Sequence, residues 1–108
     1  MFIIIWEFRP NPERWEEFIE TYGAHGAWAQ LFRKGDGYLR TDLLEDLSHP
    51  GVFITVDCWT SRQSYERFRA EHAVEYTCLD KACSILNETE RHVGSFKLPT
   101  SWHAEKTG

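Results

Sequence analysis

Cysteine is scarce in this chain, and the three that occur, Cys58, Cys78 and Cys83, form an odd set with no CxxC spacing. A disulfide framework is thereby excluded, and the thiols are expected to be small buried hydrophobes of a protein kept in a reducing, cytoplasmic compartment. Positive charge is thin as well. Arg9, Arg33, Lys34, Arg62, Arg67 and Lys97 are scattered and the net charge is −5, so no basic stripe exists to neutralise phosphates and nucleic acid is excluded as a partner. Long apolar runs are missing. Met1 to Trp6 is followed at once by Glu7 and Arg9, which is too short for a spanning helix and lacks the basic flank and cleavage site of a leader. The start therefore predicts a strand, with neither export nor a membrane partner. The five histidines include no i, i+4 pair and no HExxH, so no metal site is predicted. GxSxG, Walker and Rossmann glycine patterns are also absent, and no organic cofactor is expected.

What the chain has in quantity is aromatic surface. Five Trp, seven Phe and four Tyr within 108 residues, and 42% hydrophobic residues overall, exclude disorder. A chain of this length forms one domain and buries roughly 65% of the surface its extended form exposes, enough for a single core. Residues 1–98 are read as that domain. Residues 99–108 are read as a polar C-terminal tail in which Trp102 is the one anchor point.

Phe2 to Phe8 reads as a strand with Phe2, Ile4, Trp6 and Phe8 on one face and Ile3, Ile5, Glu7 and Arg9 on the other. Asn11 in a cap position, Pro12 at the first helical position, and Trp15, Phe18, Ile19 and Tyr22 at helical spacing predict a helix. Gly23 and Gly26 loosen the next stretch; Trp28, Leu31 and Phe32 then suit one helical face until Gly35 and Gly37 end it. Tyr38 to Glu45 is a second strand, Asp46 to Gly51 a turn, and Val52 to Trp59 a third strand. Its even positions are all apolar, whereas Phe53, Thr55, Asp57 and Trp59 make a mixed face. Thr60 with Gln63 has the form of a capping box, and Tyr65, Phe68, His72, Tyr76, Leu79, Cys83 and Leu86 recur every three or four residues. An unbroken helix over Ser61 to Leu86 would span about 39 Å at roughly 1.5 Å per residue. That is longer than the sheet needs, so a bend near His72 to Val74 is predicted. Asn87 is expected to close the helices and Arg91 to Leu98 to form the last strand.

Strand, helix, strand, strand, helix, strand is the order of a ferredoxin-like α+β domain, a βαββαβ four-stranded antiparallel sheet with helices on one face. The first and third strands carry apolar residues on both faces, and an open apolar face of several hundred Å² is rare on a monomer. A homodimer is therefore expected, two sheets pairing about a two-fold axis and burying more than about 2,000 Å².

Trp59-Thr60-Ser61, followed by Tyr65, Phe68 and His72, resembles the tryptophan, serine, aromatic and histidine pattern that opens the second helical region in the antibiotic biosynthesis monooxygenase family. The likeness in element order runs from Phe2 to Phe96. It implies ferredoxin-like subunits paired as a dimeric α+β barrel, and activities that include cofactor-free oxidation of polycyclic phenols, quinol oxidation and haem degradation. Haem-degrading relatives use an asparagine in the first strand, where this chain has Trp6-Glu7, and a histidine later in the second helical region, near Tyr76 or Cys78 here. Both departures count against haem.

His72 is the sharpest catalytic candidate, since its place on the stripe with Tyr65, Phe68 and Tyr76 aims it at the sheet, where partial burial would keep it neutral as a general base requires. The plainer reading is a core or helix-break histidine. Tyr76, one turn on, is a candidate donor to a substrate oxygen, or else a core tyrosine with its hydroxyl at the boundary. Trp28 and Trp59, with Tyr65 and Phe68, are candidates to line an aromatic slot for a flat ligand; taken singly, each also suits a small core. His25, between the two glycines, is a further substrate-binding candidate or a surface residue. Glu7, Arg9 and Asp57 are expected to meet as an ion network if the first and third strands are neighbours, a feature that more often fixes dimer register than performs chemistry. The function expected is oxygenation, without metal or cofactor, of a small aromatic or quinol-like molecule. The alternative is a non-catalytic dimeric ligand-binding or stress-related module that holds a small hydrophobic or aromatic ligand.

Overall fold

Alternating strand residues and helically spaced aromatics assemble, in a computed structural model that describes residues 1–99, into β1 (Phe2–Pro10), α1 (Trp15–Tyr22), α2 (Ala27–Phe32), β2 (Tyr38–Glu45), β3 (Phe53–Trp59), α3 (Arg62–Glu71), α4 (Ala73–Cys83) and β4 (Asn87–Lys97). Trp102 and the rest of the expected tail beyond Pro99 lie outside the described residues. The strands form one antiparallel sheet in the order β2-β3-β1-β4. This is the ferredoxin-like α+β arrangement, with each helical connection split into two helices.

The splits have local causes. Gly23 and Gly26 interrupt the first connection, and a Cβ at Gly26 would run into the carbonyl oxygens of Glu20 and Thr21, so only glycine permits that close turn. In the second connection His72 adopts φ −119° and ψ 30°, which ends α3 and starts α4 where the length argument puts a bend. Some boundaries differ from expectation. Pro12 opens a 3-10 turn and α1 starts at Trp15. Asn11 does not cap it; its Nδ2 donates to the Ile85 carbonyl at 2.7 Å and so ties the first helical connection to the end of the second. Ser61, not Thr60, caps α3, its Oγ accepting from the Ser64 amide at 3.1 Å. Asn87 begins β4 instead of closing a helix, because a 3-10 turn at Ser84–Leu86 has already ended α4.

The helix side of the sheet carries Phe2, Ile4 and Phe8 of β1 and Phe53 and Trp59 of β3, packed on Phe18, Tyr22, Trp28, Leu31, Phe32, Phe68 and Cys83. Phe18, Trp59 and Phe68 are fully enclosed, and each such burial is worth about 1.5–3 kcal/mol. Cys58 and Cys83 are buried as expected, but Cys78 is exposed. The mixed face of β3, not its uniformly apolar face, turns toward the helices. On the far side, Ile3, Ile5, Ile54, Val56, Leu44 and Phe96 share an outer face, by register, that no helix of the described chain covers. β1 and β3 are neighbours, yet the anticipated ion network does not form. Glu7 lies opposite Ile54 on the outer face and pairs with Arg91 at 3.2 Å, whereas Asp57 lies opposite Ile4 on the helix side.

A candidate active site between helices and sheet

Strand alternation aims Trp6 and Phe8 of β1, Thr41 of β2, and Thr55 and Asp57 of β3 at the helical layer. Tyr22 of α1, Trp28 and Phe32 of α2, and Tyr76 and Asp80 of α4 approach from above; the last two pairs are each four residues apart and so share a helix face. Together with Glu90 of β4 these residues line a cleft that opens to solvent and encloses about 50 Å³. A site needs only about 10–15 Å³ to hold a water molecule. The enclosed part therefore takes a few waters or one edge of a small ring.

Its walls are packed against one another. Tyr22 stacks on Phe18 with centroids 4.5 Å apart and lies 4.7 Å from Phe8, and its hydroxyl accepts from Asn87 Nδ2 at 3.1 Å. Trp28 meets Tyr76 at 5.0 Å and 65°. Burial raises the phenols of Tyr22 and Tyr76 well above the usual tyrosine range, so both stay protonated at any working pH. The Trp28 indole N–H is buried against the Tyr22 hydroxyl and the Cys83 thiol, with no well-formed hydrogen bond to either.

Asp57 is the polar centre of this recess. It is only 7% exposed, and its one hydrogen bond among the described residues comes from Thr41 Oγ1 at 2.8 Å. Thr41 Oγ1 in turn lies 2.7 Å from the Tyr38 hydroxyl. No ion pair reaches the carboxyl, and the cleft lining contains no lysine, arginine or histidine. Burial without a counter-charge pushes the Asp57 pKa up to about 6, against a smaller opposing effect of the Thr41 hydrogen bond. Glu90 is also raised, first by burial and then by the charge of Asp80.

The residues singled out from sequence fall into three groups. Tyr76 and Trp28 line the cleft. Trp59, Phe68 and Tyr65 stand behind it, where Phe32 rests on both Trp59 (5.9 Å) and Phe68 (5.5 Å), and Tyr65 packs on Trp59 at 5.4 Å. His72 and His25 are not among the lining residues. His72 stacks on Phe68 at 5.3 Å and its Nδ1–H donates to Glu75 Oε1 at 2.8 Å; Glu75 also holds Lys34. His25 lies against the Arg33 guanidinium at 3.3 Å on the exterior. Sequence reasoning missed Asp57 as a cleft residue, along with Trp6, Tyr22, Thr41 and Thr55. The available signal was Thr55 and Asp57 alternating with Phe53 and Trp59, polar groups spaced on an otherwise aromatic strand face. Among the described residues no group of three His, Cys, Asp or Glu side chains is placed to hold a metal ion, and no helix is long and apolar enough to cross a membrane.

Sheet order and cleft together define a ferredoxin-like α+β domain with an aromatic recess between its layers. The family model for antibiotic biosynthesis monooxygenases matches residues 1–76, and the chain belongs to that family. Its fold is similar to that of a candidate antibiotic biosynthesis monooxygenase from Deinococcus radiodurans, with a TM-score of 0.68 and 21% identity over 91% of this chain and 92% of that one. A candidate monooxygenase from Nitrosomonas europaea gives 0.64 and 15% identity over 92% and 99%. SnoaB, a cofactor-independent oxygenase from Streptomyces nogalater, gives 0.60 and 21% identity over 90% and 91%. At these identities the likeness concerns the fold. No curated protein sequence matches the chain.

Proposed function

We propose that the protein is a cofactor-independent monooxygenase whose substrate is a small phenol or quinol-like molecule held in the cleft. The observation that carries this reading is an aromatic recess with an uncompensated carboxyl at its base, Asp57 among Trp6, Phe8, Tyr22, Trp28 and Tyr76. Phenol oxygenation needs little more. Loss of the hydroxyl proton leaves an electron-rich oxyanion that gives up electrons to dioxygen; one oxygen atom enters the ring, the other leaves as water, and a phenol becomes a quinone with no external reductant. Aromatic walls exclude bulk water from the oxyanion, and the Tyr76 hydroxyl orients the substrate oxygen. The enclosed 50 Å³ favours a one- or two-ring molecule whose remainder projects through the open side, since drug-sized ligands occupy pockets of about 300–1,000 Å³. The family match and the cofactor-independent activity of SnoaB support the same chemistry.

A second copy of the chain covers the outer face in this reading. Ile3, Ile5, Ile54 and Val56 lie side by side there, and the Glu7–Arg91 and Arg40–Asp42 pairs supply both signs of charge for a two-fold partner.

Oxygen uptake with 1-naphthol and 1,4-naphthohydroquinone, corrected for autoxidation, tests the proposal. Uptake by the wild type and at least a tenfold loss of kcat/KM in Tyr76→Phe are expected. If neither compound is consumed above background, the oxygenase reading fails and a ligand-binding module remains.

A further inference from the structure

We propose that Asp57 is the group that takes the substrate's hydroxyl proton, with Thr41 and Tyr38 as the positioning residues that hold its carboxylate in place; this rests on the oxygenase reading above. In the step proposed, the substrate O–H bond breaks, an O–H bond forms on the Asp57 carboxyl, and the electron pair stays on the substrate oxygen. The negative charge moves from protein to substrate, so the charge of the recess does not change. That matters in a cleft whose other ionisable lining side chains, Asp80 and Glu90, are also acids, because a further negative charge there would be strongly disfavoured.

Three observations converge on this residue. Asp57 lines the cleft from the middle of a central strand, so its position is fixed by the ladder on both sides, opposite Ile4 of β1 and Thr41 of β2. A single neutral hydroxyl serves its carboxyl, Thr41 Oγ1 to Oδ1 at 2.8 Å, and Oδ2 has no hydrogen-bond partner among the described residues. Thr41 is itself oriented, since the Tyr38 hydroxyl 2.7 Å away donates to it and leaves its own proton for Asp57. A carboxylate held on one oxygen and free on the other has the geometry of a proton acceptor. A structural aspartate would be paired by a cation or by several amides.

The titratable groups around Asp57 are Tyr22 from α1, Tyr38 from β2, Tyr76 and Asp80 from α4, Glu90 from β4 and Cys58 beside it in β3. None is a cation. Burial therefore acts on Asp57 unopposed except by the Thr41 hydroxyl, and an acceptor that ionises near pH 6 is unprotonated at neutral pH and more basic than an ordinary aspartate.

Oxygen uptake with 1,4-naphthohydroquinone, followed as kcat/KM from pH 4.5 to 8.5, tests the assignment. The wild type is expected to rise tenfold per pH unit and level off above about pH 6. Asp57→Asn should lose at least about a hundredfold at pH 8, together with that limb. Thr41→Val removes the hydrogen bond that favours the carboxylate and should move the limb to higher pH, and Thr41→Ser should restore it; a purely structural threonine would lower the rate without moving the limb. Turnover by Asp57→Asn within threefold of wild type would overturn the assignment and leave the oxygenase reading intact. Absence of uptake by the wild type overturns both.

Discussion

The guanidinium carbon of Arg69 lies 3.8 Å from the centre of the Tyr76 ring. The same side chain donates through Nη1 to the Tyr65 hydroxyl at 2.9 Å, so one α3 residue holds two aromatics while Trp28 closes on Tyr76 from the cleft. A cation over an aromatic face is worth about 0.5–1 kcal/mol at exposed sites. Arg69→Ala is expected to lower unfolding stability by roughly 1 kcal/mol and to raise KM several-fold as Tyr76 loses its support. Arg69→Lys should recover little, because an ammonium cannot both stack on Tyr76 and reach Tyr65. Urea denaturation and steady-state kinetics on both variants check this.

The Asp57 carboxyl makes stability depend on pH in an unusual direction for an acid. Its folded value of about 6 stands above the ordinary 3.8, so between these values the folded state binds more protons than the unfolded one and stability falls as pH rises. The stabilisation is complete below about pH 4 and is lost above about pH 6, a difference of roughly 3 kcal/mol. Asp57→Asn should therefore be more stable than the wild type at pH 7.5, and the two should converge near pH 4. Equal thermal midpoints at both pH values would contradict the uncompensated burial.

His72 anchors the α3–α4 junction through Phe68 and Glu75, outside the residues that line the cleft. His72→Ala is expected to cost about 1 kcal/mol of stability and to reduce kcat/KM less than tenfold. A loss of a hundredfold or more, with stability kept, would give the base role to the histidine.

The outer sheet face leads to a prediction about assembly. Sedimentation equilibrium is expected to give a dimer at micromolar concentration, and Ile5→Glu, which places a carboxylate between Val56 and Gly94, should shift it to the monomer with the helix layer intact by circular dichroism. A wild-type monomer would remove the case for a covered face.

Strand and helix identities were legible because each rests on a period: alternation in Phe2 to Phe8, and three-to-four spacing from Trp15 to Tyr22. The bend at His72 was legible from length alone. What alternation cannot reveal is which face of a strand meets the helices when both are apolar. Around β3 the even series Val52, Ile54, Val56 and Cys58 is uniformly apolar and the odd series mixed, so neither face reads as solvent; Trp59 and Phe53 carry more apolar area and pull the odd face inward, with Thr55 and Asp57 between them. Asp57 therefore looked like a partner for Glu7 and Arg9 rather than a group in a cleft. The parity of β4 was hidden for a different reason. The ladder passes from Ile5–Gly94 to Trp6–His92 and skips Val93, so Arg91 and Phe96 share a face although one position is odd and the other even.

That irregularity bears on how far the chain can polymerise. Among the described residues β2 and β4 end the sheet with unpaired backbone groups, the usual templates for fibril growth. Arg40, Asp42 and Glu45 stud one rim and Glu88, Glu90, Arg91 and Lys97 the other, while the skipped Val93 distorts the second. An incoming strand would have to match alternating charges, along a broken register at the second rim, so lateral stacking is obstructed at both.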